Sequence, residues 1–279
     1  MPALLQQVKD ALRHLKISPR KKMGQNFMVR EEILSFIRDS LNLKGEERVL
    51  EIGPGLGFLT KFLLENKNPV VAVEKDSYFV GYLKNRFKGE SLSVVENDIL
   101  KLDLRKDLKL KEPIKVAGNI PYNITSPILE WLIGQRPLVS EAVLTMQWEV
   151  AERLGADPGT KAWGPLSIFV QVYSEVSLLK EIGKECFYPS PKVDSAVVKL
   201  RFPGRRRLSI ENEERFFYLV RKAFQKRRKT LLNALADETR EAFSKKAVSE
   251  ALESAGIAPG RRPETLSLSE WAVLSKHAV

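Results

Sequence analysis

The residues with the clearest chemical potential stand in GNIPYN, Gly118 to Asn123, directly after the apolar run IKVAG. Apolar, β-rich residues running into Asn and Pro read as a buried strand ending in a loop, where side chains are free to do chemistry. An exocyclic amine on adenine is a poor nucleophile, because its lone pair is delocalised into the ring. To be methylated, the nitrogen must move toward tetrahedral geometry while acceptors hold its N–H groups. Asn119 can supply a side-chain oxygen and Ile120 a backbone carbonyl. Pro121 fixes φ and stiffens the turn, and Tyr122 offers a face on which a flipped base can stack. An ordinary strand-ending turn also uses Asn and Pro, so this reading depends on a cofactor held nearby.

Three other strand ends supply that context. EIGPGLGF places Gly53, Gly55 and Gly57 in a turn that opens a helix. Glycines let the backbone bend sharply and approach a ligand, and the helix start offers free N–H donors. Glu74 ends the next strand, 21 residues past Gly53, where a carboxylate can accept both hydroxyls of a ribose. Asp98 ends the third strand in the same way, within reach of an adenine edge. Together these residues point to a nucleoside-containing cofactor. The GxGxG spacing differs from the G-x-G-x-x-G suited to a pyrophosphate, and nothing downstream resembles hydride chemistry. With GNIPYN at the fourth strand end, S-adenosylmethionine fits better than NAD.

The elements that must position these loops are legible as alternating patterns. RVLEIG, VVAVE, LSVVEN, IKVAGNI and EAVLTMQ read as short buried strands; FLTKFLLEN, SYFVGYLKNRF and SPILEWLIGQ between them read as helices. That alternation predicts an α/β fold with a parallel sheet covered on both faces. SAVVKLRF follows FYPSPK with no room for a crossover helix, so it is expected to run antiparallel. After Pro203-Gly204 the pattern becomes helical throughout, in RFFYLVRKAF, KTLLNALA and KKAVSEALESAG. The predicted division is residues 1–204 for cofactor binding and catalysis, and residues 205–279 for a small helical domain.

Composition narrows the class further. One cysteine, Cys186, excludes an internal disulfide framework, and two histidines make a metal cage improbable. No apolar run reaches the roughly 18 residues of a membrane span. A reducing cytoplasm is the expected location. The net charge of +11 is concentrated at the ends: residues 1–30 hold seven Lys/Arg against one Asp, and residues 205–279 hold sixteen Lys/Arg against ten Asp/Glu. A near-neutral body with basic flanks suits a polyanionic partner. The densest run, RKAFQKRRK, contributes Arg221, Lys222, Lys226, Arg227, Arg228 and Lys229 as candidate RNA-binding residues.

The chain resembles the ribosomal RNA adenine dimethylase family. GQNFM (Gly24–Met28), EIGPGLG, VAVEKD, ENDIL, GNIPYNITSP, FYPSPKVDSAVV and FQKRRKTLLNAL carry the resemblance, in order, over nearly the whole chain. It implies a Rossmann-like class I methyltransferase domain of seven strands with the last antiparallel, plus a helical RNA-binding domain. The implied activity is N6-dimethylation of two adjacent adenines near the 3′ end of small-subunit RNA, on a pre-30S particle, by a monomer contributing to subunit biogenesis. The resemblance also implies that Asn26 and Met28 touch the methionine end of S-adenosylmethionine, with Gly53 and Gly55 beneath it. Glu74 would hold the ribose, Asp98 the adenine, and Asn119 would link cofactor to target. Phe187 would face Tyr122 as the second aromatic wall of the base pocket. Met28 stands where the family usually has Leu, an apolar swap.

Related readings differ at identifiable residues. Macrolide-resistance methylases of large-subunit RNA share QNF and NIPY. They typically carry Asn at the position of Asp194 and lack RRKTLLNAL. The basic, amphipathic LLQQVKDALRHLK resembles a transit peptide but contains Asp10 and almost no Ser. A ribosome-assembly binding factor, with methylation secondary, would use the same basic ends; intact cofactor loops favour an enzyme. A DNA adenine methylase would need a target-recognition domain larger than the helical tail.

Overall fold

The computed structural model describes residues 3–19, 24–204, 208–226, 228–237 and 239–277. In chain order the first elements are α1 (Ala3–His14), β1 (Phe27–Met28), α2 (Glu31–Ser40), β2 (Val49–Ile52), α3 (Phe58–Leu64), β3 (Val70–Glu74), α4 (Ser77–Arg86) and β4 (Leu92–Glu96). Then come β5 (Ile114–Asn119), α5 (Thr125–Gly134), β6 (Val139–Gln147), α6 (Trp148–Leu154), α7 (Pro165–Tyr173), β7 (Glu175–Ile182), β8 (Phe187–Tyr188) and β9 (Ser195–Arg201). The chain ends in α8 (Glu213–Phe224), α9 (Leu231–Leu235), α10 (Lys245–Ser254) and α11 (Leu268–His277).

Seven strands form one sheet in the order β4-β3-β2-β5-β6-β9-β7. The five strands from β4 to β6 pair in parallel. β9 runs antiparallel to both its neighbours, as SAVVKLRF was expected to do. The central strands β2 and β5 are buried on both faces, which explains why Val49–Ile52 and Ile114–Gly118 read as continuous apolar runs rather than alternations. β7 escaped the sequence reading. EVSLLKEI lies at the edge, pairs only with β9 and is mostly exposed, so it never presents an apolar run. The two-residue strands β1 and β8, paired antiparallel, are too short to leave any pattern.

The amphipathic segment that resembles a transit peptide is α1, and it belongs to the folded core. Leu4, Val8 and Leu12 share one face and are buried with Ile33, Leu34 and Ile37 of α2. Each such burial contributes on the order of 1.5–3 kcal/mol.

The chain divides into two compact units, one of Met1–Ala151 with Glu175–Gly204, the other of Glu152–Ser174 with Arg205–Val279. This differs from the single cut expected at residue 204. Residues 152–174 group with the helical unit for reasons of packing. Trp163 is buried there with its indole N–H donating to the Leu266 carbonyl at 3.0 Å. Phe169 meets Phe217 edge-on at 5.5 Å between ring centroids. In the same unit, α8 is capped by the Asn212 side chain, which accepts from Arg215 N at 2.9 Å. It buries Phe216, Leu219, Val220, Ala223 and Phe224, a helical stripe that leaves its basic residues on other faces.

Candidate active site

In an open parallel sheet, a ligand binds beyond the carboxyl ends of the strands where the order reverses. Here that point lies between β2 and β5, from which connections run outward in opposite directions. A cavity of about 300 Å³ opens there. Its walls come from the segment 24–28, the Gly53–Gly55 turn, Glu74, Asp98 and the end of β5.

Of the residues singled out in the sequence, Asn26, Met28, Gly53, Gly55, Glu74, Asp98, Asn119 and Pro121 all line this cavity. Gly53, Gly55 and Gly57 have positive φ. A Cβ built on Gly53 would have no atom within 4 Å, so that wall stands open to a ligand. The Glu74 carboxylate is held by three backbone N–H donors: Lys75 and Asp76 on Oε1, both at 2.8 Å, and Gly55 on Oε2 at 3.0 Å. Burial outweighs these donors and raises its pKa above the ordinary carboxylate value. Asp98 shows the opposite balance. Partial burial pushes it up, but the Lys75 ammonium ion at 2.8 Å and the Leu100 N–H at 3.1 Å hold it below the usual range.

Asn119 is clamped at both ends. Its Nδ2 donates to the Asn26 carbonyl at 2.7 Å, and its Oδ1 accepts from the Thr145 hydroxyl at 2.5 Å. Because a carbonyl can only accept, the first hydrogen bond fixes which end of the amide is which. Thr145 is the parallel partner of Asn119 on β6, so sheet register places the hydroxyl.

The remaining residues of the expected base pocket lie elsewhere. Ile120 has its side chain in the core, so any chemistry at this position belongs to its carbonyl. Tyr122 is half-buried, with its hydroxyl 2.6 Å from Ser195 Oγ; burial raises its pKa. Phe187 pairs with Met28 between β8 and β1, but its ring is only 3% exposed. Neither aromatic residue lines the cavity.

Among the cavity residues that the sequence did not single out, one is a buried acid. Glu51 is 1% exposed, and its Oε2 accepts from the Thr60 hydroxyl at 2.6 Å. Burial pushes its carboxyl up to about 8, against the Thr60 hydroxyl and with help from the Glu74 charge. A glutamate inside the otherwise apolar VLEI was the available signal, since unpaired acids are rarely buried.

In the helical unit, Arg221, Lys226, Arg228 and Lys229 are exposed, while Arg227 lies outside the described residues. Lys222 departs from the expectation that it is available to RNA. Its side chain is 14% exposed, with the ammonium ion 3.2 Å from Asp237 and 4.6 Å from the Phe243 ring centroid. Asp237 is held down to about 2, first by the Thr239 hydroxyl and then by Lys222. Among the described residues, no cluster of His, Cys, Asp or Glu could hold a metal ion, and no helix is long and apolar enough to cross a membrane.

The sheet order, the antiparallel β9 and the cavity at the switch point define a class I methyltransferase. The profile described as ribosomal RNA adenine dimethylase matches residues 17–273. The chain is 43% identical over 263 residues to a ribosomal RNA small subunit methyltransferase A of Geobacter metallireducens, covering 93% of this chain and 95% of the relative. A protein of the same name from Alkaliphilus metalliredigens is 40% identical over 260 residues, covering 92% and 90%. A dimethyladenosine transferase from Plasmodium falciparum superposes with a TM-score of 0.76 at 29% identity, covering 89% of this chain and 95% of that one. The 23S rRNA methyltransferase ErmE superposes with a TM-score of 0.71 at 27% identity, covering 90% and 99%. The chain belongs to the ribosomal RNA adenine dimethylase family. It is an rRNA adenine dimethyltransferase whose methyl donor is S-adenosylmethionine.

Proposed function

We propose that this enzyme dimethylates N6 of two adjacent adenines near the 3′ end of small-subunit rRNA, acting as a cytoplasmic monomer on a pre-30S particle during subunit biogenesis. The observation that carries the reading is Asn119, held rigidly at the cavity where the cofactor loops converge. The names of the curated relatives favour small-subunit RNA over the large-subunit RNA named for ErmE.

The cavity's donor set fits S-adenosylmethionine, which supplies an electrophilic methyl group when bound. Glu74 would accept from the ribose hydroxyls through lone pairs that its three N–H donors leave free. Asp98 would accept from the adenine amine, sharing its carboxylate with Lys75. Asn26, Met28, Gly53 and Gly55 would border the methionine end. Asn119 Oδ1 retains one lone pair beside the Thr145 hydroxyl, and with the Ile120 carbonyl would hold the target N–H groups as the nitrogen becomes tetrahedral. Preorganised acceptors of this kind act where charge develops and need no reorganisation. Tyr122, tethered through its hydroxyl to Ser195, would present its ring to the flipped base. Stacking on Phe187 as well requires the segment 187–194 to shift, because that ring is buried. The basic residues after α8 would grip phosphates without reading sequence.

The test is methylation of small- and large-subunit ribosomal particles from cells lacking the enzyme, followed by primer extension on the extracted RNA. Dimethylated adenine cannot pair, so reverse transcriptase should stop at two neighbouring adenines near the small-subunit 3′ end. Stops in large-subunit RNA instead would transfer the chain to the resistance-type activity.

A further inference from the structure

We propose that Arg86 is a positioning residue for the cofactor, latching the glycine loop onto the last turn of α4. The proposal rests on the reading that the Gly53–Gly57 loop holds S-adenosylmethionine. That loop has three glycines with positive φ and little stiffness of its own. Only Leu56 among its last three residues carries a side chain, and it is fully buried.

Arg86 meets the loop at that residue. Its Nη1 donates to the Leu56 carbonyl at 2.6 Å and to the Tyr82 hydroxyl at 3.2 Å. The guanidinium carbon lies 4.8 Å from the Phe58 ring centroid, 5.3 Å from Phe87 and 5.8 Å from Tyr82. A planar guanidinium can lie against aromatic rings while its in-plane N–H groups stay aimed at two oxygens, a combination that the round, strongly hydrated ammonium ion of lysine does not offer. The next residue is seated by the same turn. A Cβ on Gly57 would stand 2.6 Å from Phe87 Cε2 and 2.7 Å from Leu83 Cδ2, so the backbone packs directly against α4. The loop is thus tied twice: Glu74 takes the Gly55 N–H, and Arg86 takes the Leu56 carbonyl. Releasing the second tie leaves the chemistry at Asn119 intact and makes the cofactor order the loop on binding.

Arg86→Lys and Arg86→Met should raise the dissociation constant for S-adenosylmethionine by about 5–20-fold, read by calorimetry without RNA. In turnover, the cofactor KM should rise while kcat and the RNA KM stay within about 2-fold. Deuterium uptake by peptides covering residues 53–58 should accelerate in the cofactor-free variant, with the rest of the sheet unchanged. If Arg86→Met melts early, Arg86→Lys and the exchange measurement still decide the matter. A folded Arg86→Lys protein with wild-type cofactor affinity and loop exchange overturns the proposal. Glu74→Ala serves as the control. Lost affinity there, with a silent Arg86→Lys, refutes the latch alone. If both variants bind normally, the loop does not hold the cofactor.

Discussion

Around the cavity, Glu74 accepts three backbone N–H groups and Asn119 is held at both ends, so each polar side chain has one place to be. In the last turn of α8 and just beyond it, Arg221, Lys226, Arg228 and Lys229 project into solvent. The first arrangement favours a charge distribution that exists for an instant, and its value depends on fractions of an ångström. The second attracts any polyanion over roughly a Debye length of 8–10 Å and tolerates motion. Damage should therefore be concentrated and salt-independent in one region, graded and salt-dependent in the other.

The strongest way to sharpen that contrast is Asn119→Ala. It removes an acceptor and leaves the Thr145 hydroxyl with only the longer 3.5 Å contact to the Gly118 carbonyl, so single-turnover methylation should slow by about 10²–10³-fold. RNA affinity, measured by filter binding, should stay within about 2-fold. A comparable loss of both would mean the two regions are not separable. Glu74→Ala comes next. Loss of a charged acceptor should weaken S-adenosylmethionine binding by about 1.5–3 kcal/mol in calorimetry. Because the same carboxylate also ties the backbone at Gly55, Lys75 and Asp76, the melting temperature should drop too.

Within the basic region, Lys226, Arg228 and Lys229 should behave alike and Lys222 differently. Replacing the three by Ala should lower the slope of log affinity against log salt by about 0.7–0.9 for each phosphate that is no longer neutralised. Lys222→Ala should leave that slope unchanged and destabilise the helical unit by removing the ammonium ion that sits between Asp237 and the Phe243 ring. A Lys222 variant that lowers the slope would restore it to the RNA surface.

The smallest expected effect concerns Glu51. Its folded pKa of about 8 exceeds the ordinary 4.5, so the folded protein binds that proton more tightly than the unfolded chain. The resulting stability is complete below about pH 4.5 and drains away as pH climbs through 8. Glu51→Gln, which keeps an acceptor for Thr60, should match the wild type at pH 4.5. By pH 8.5 it should melt at a clearly higher temperature than the wild type in cofactor-free protein, the gap opening progressively above pH 4.5. Parallel melting curves across that range would show that Glu51 ionises freely.

The sequence revealed most of what repeats or ends abruptly. Buried parallel strands print continuous apolar runs, and the Gly, Glu, Asp and Asn that finish them occupy four successive strand ends around one cavity. What it hid depends on partners distant in the chain. Thr145 looks like any strand residue until register sets it against Asn119. Lys222 looks like its neighbours in RKAFQKRRK until Asp237 folds back upon it. The edge strand β7 hid because its exposed face removes the apolar run. Residues 152–174 hid because their allegiance is decided by Trp163 and Phe169, whose partners come about 50–100 residues later.

That divided allegiance has a consequence for how the protein is made. Strands β7 and β9 complete the sheet only after the chain has made its excursion through α7, and the rest of the helical unit leaves the ribosome last. Until residues 205–279 emerge, Trp163 and Phe169 have been synthesised without the Leu266 carbonyl or the Phe217 ring. A nascent chain stalled there, or a gene cut at codon 204, would carry these aromatic side chains without the Leu266 and Phe217 contacts. Such a fragment is expected to expose apolar surface and to call on chaperones, which expression of residues 1–204 alone would check by its solubility.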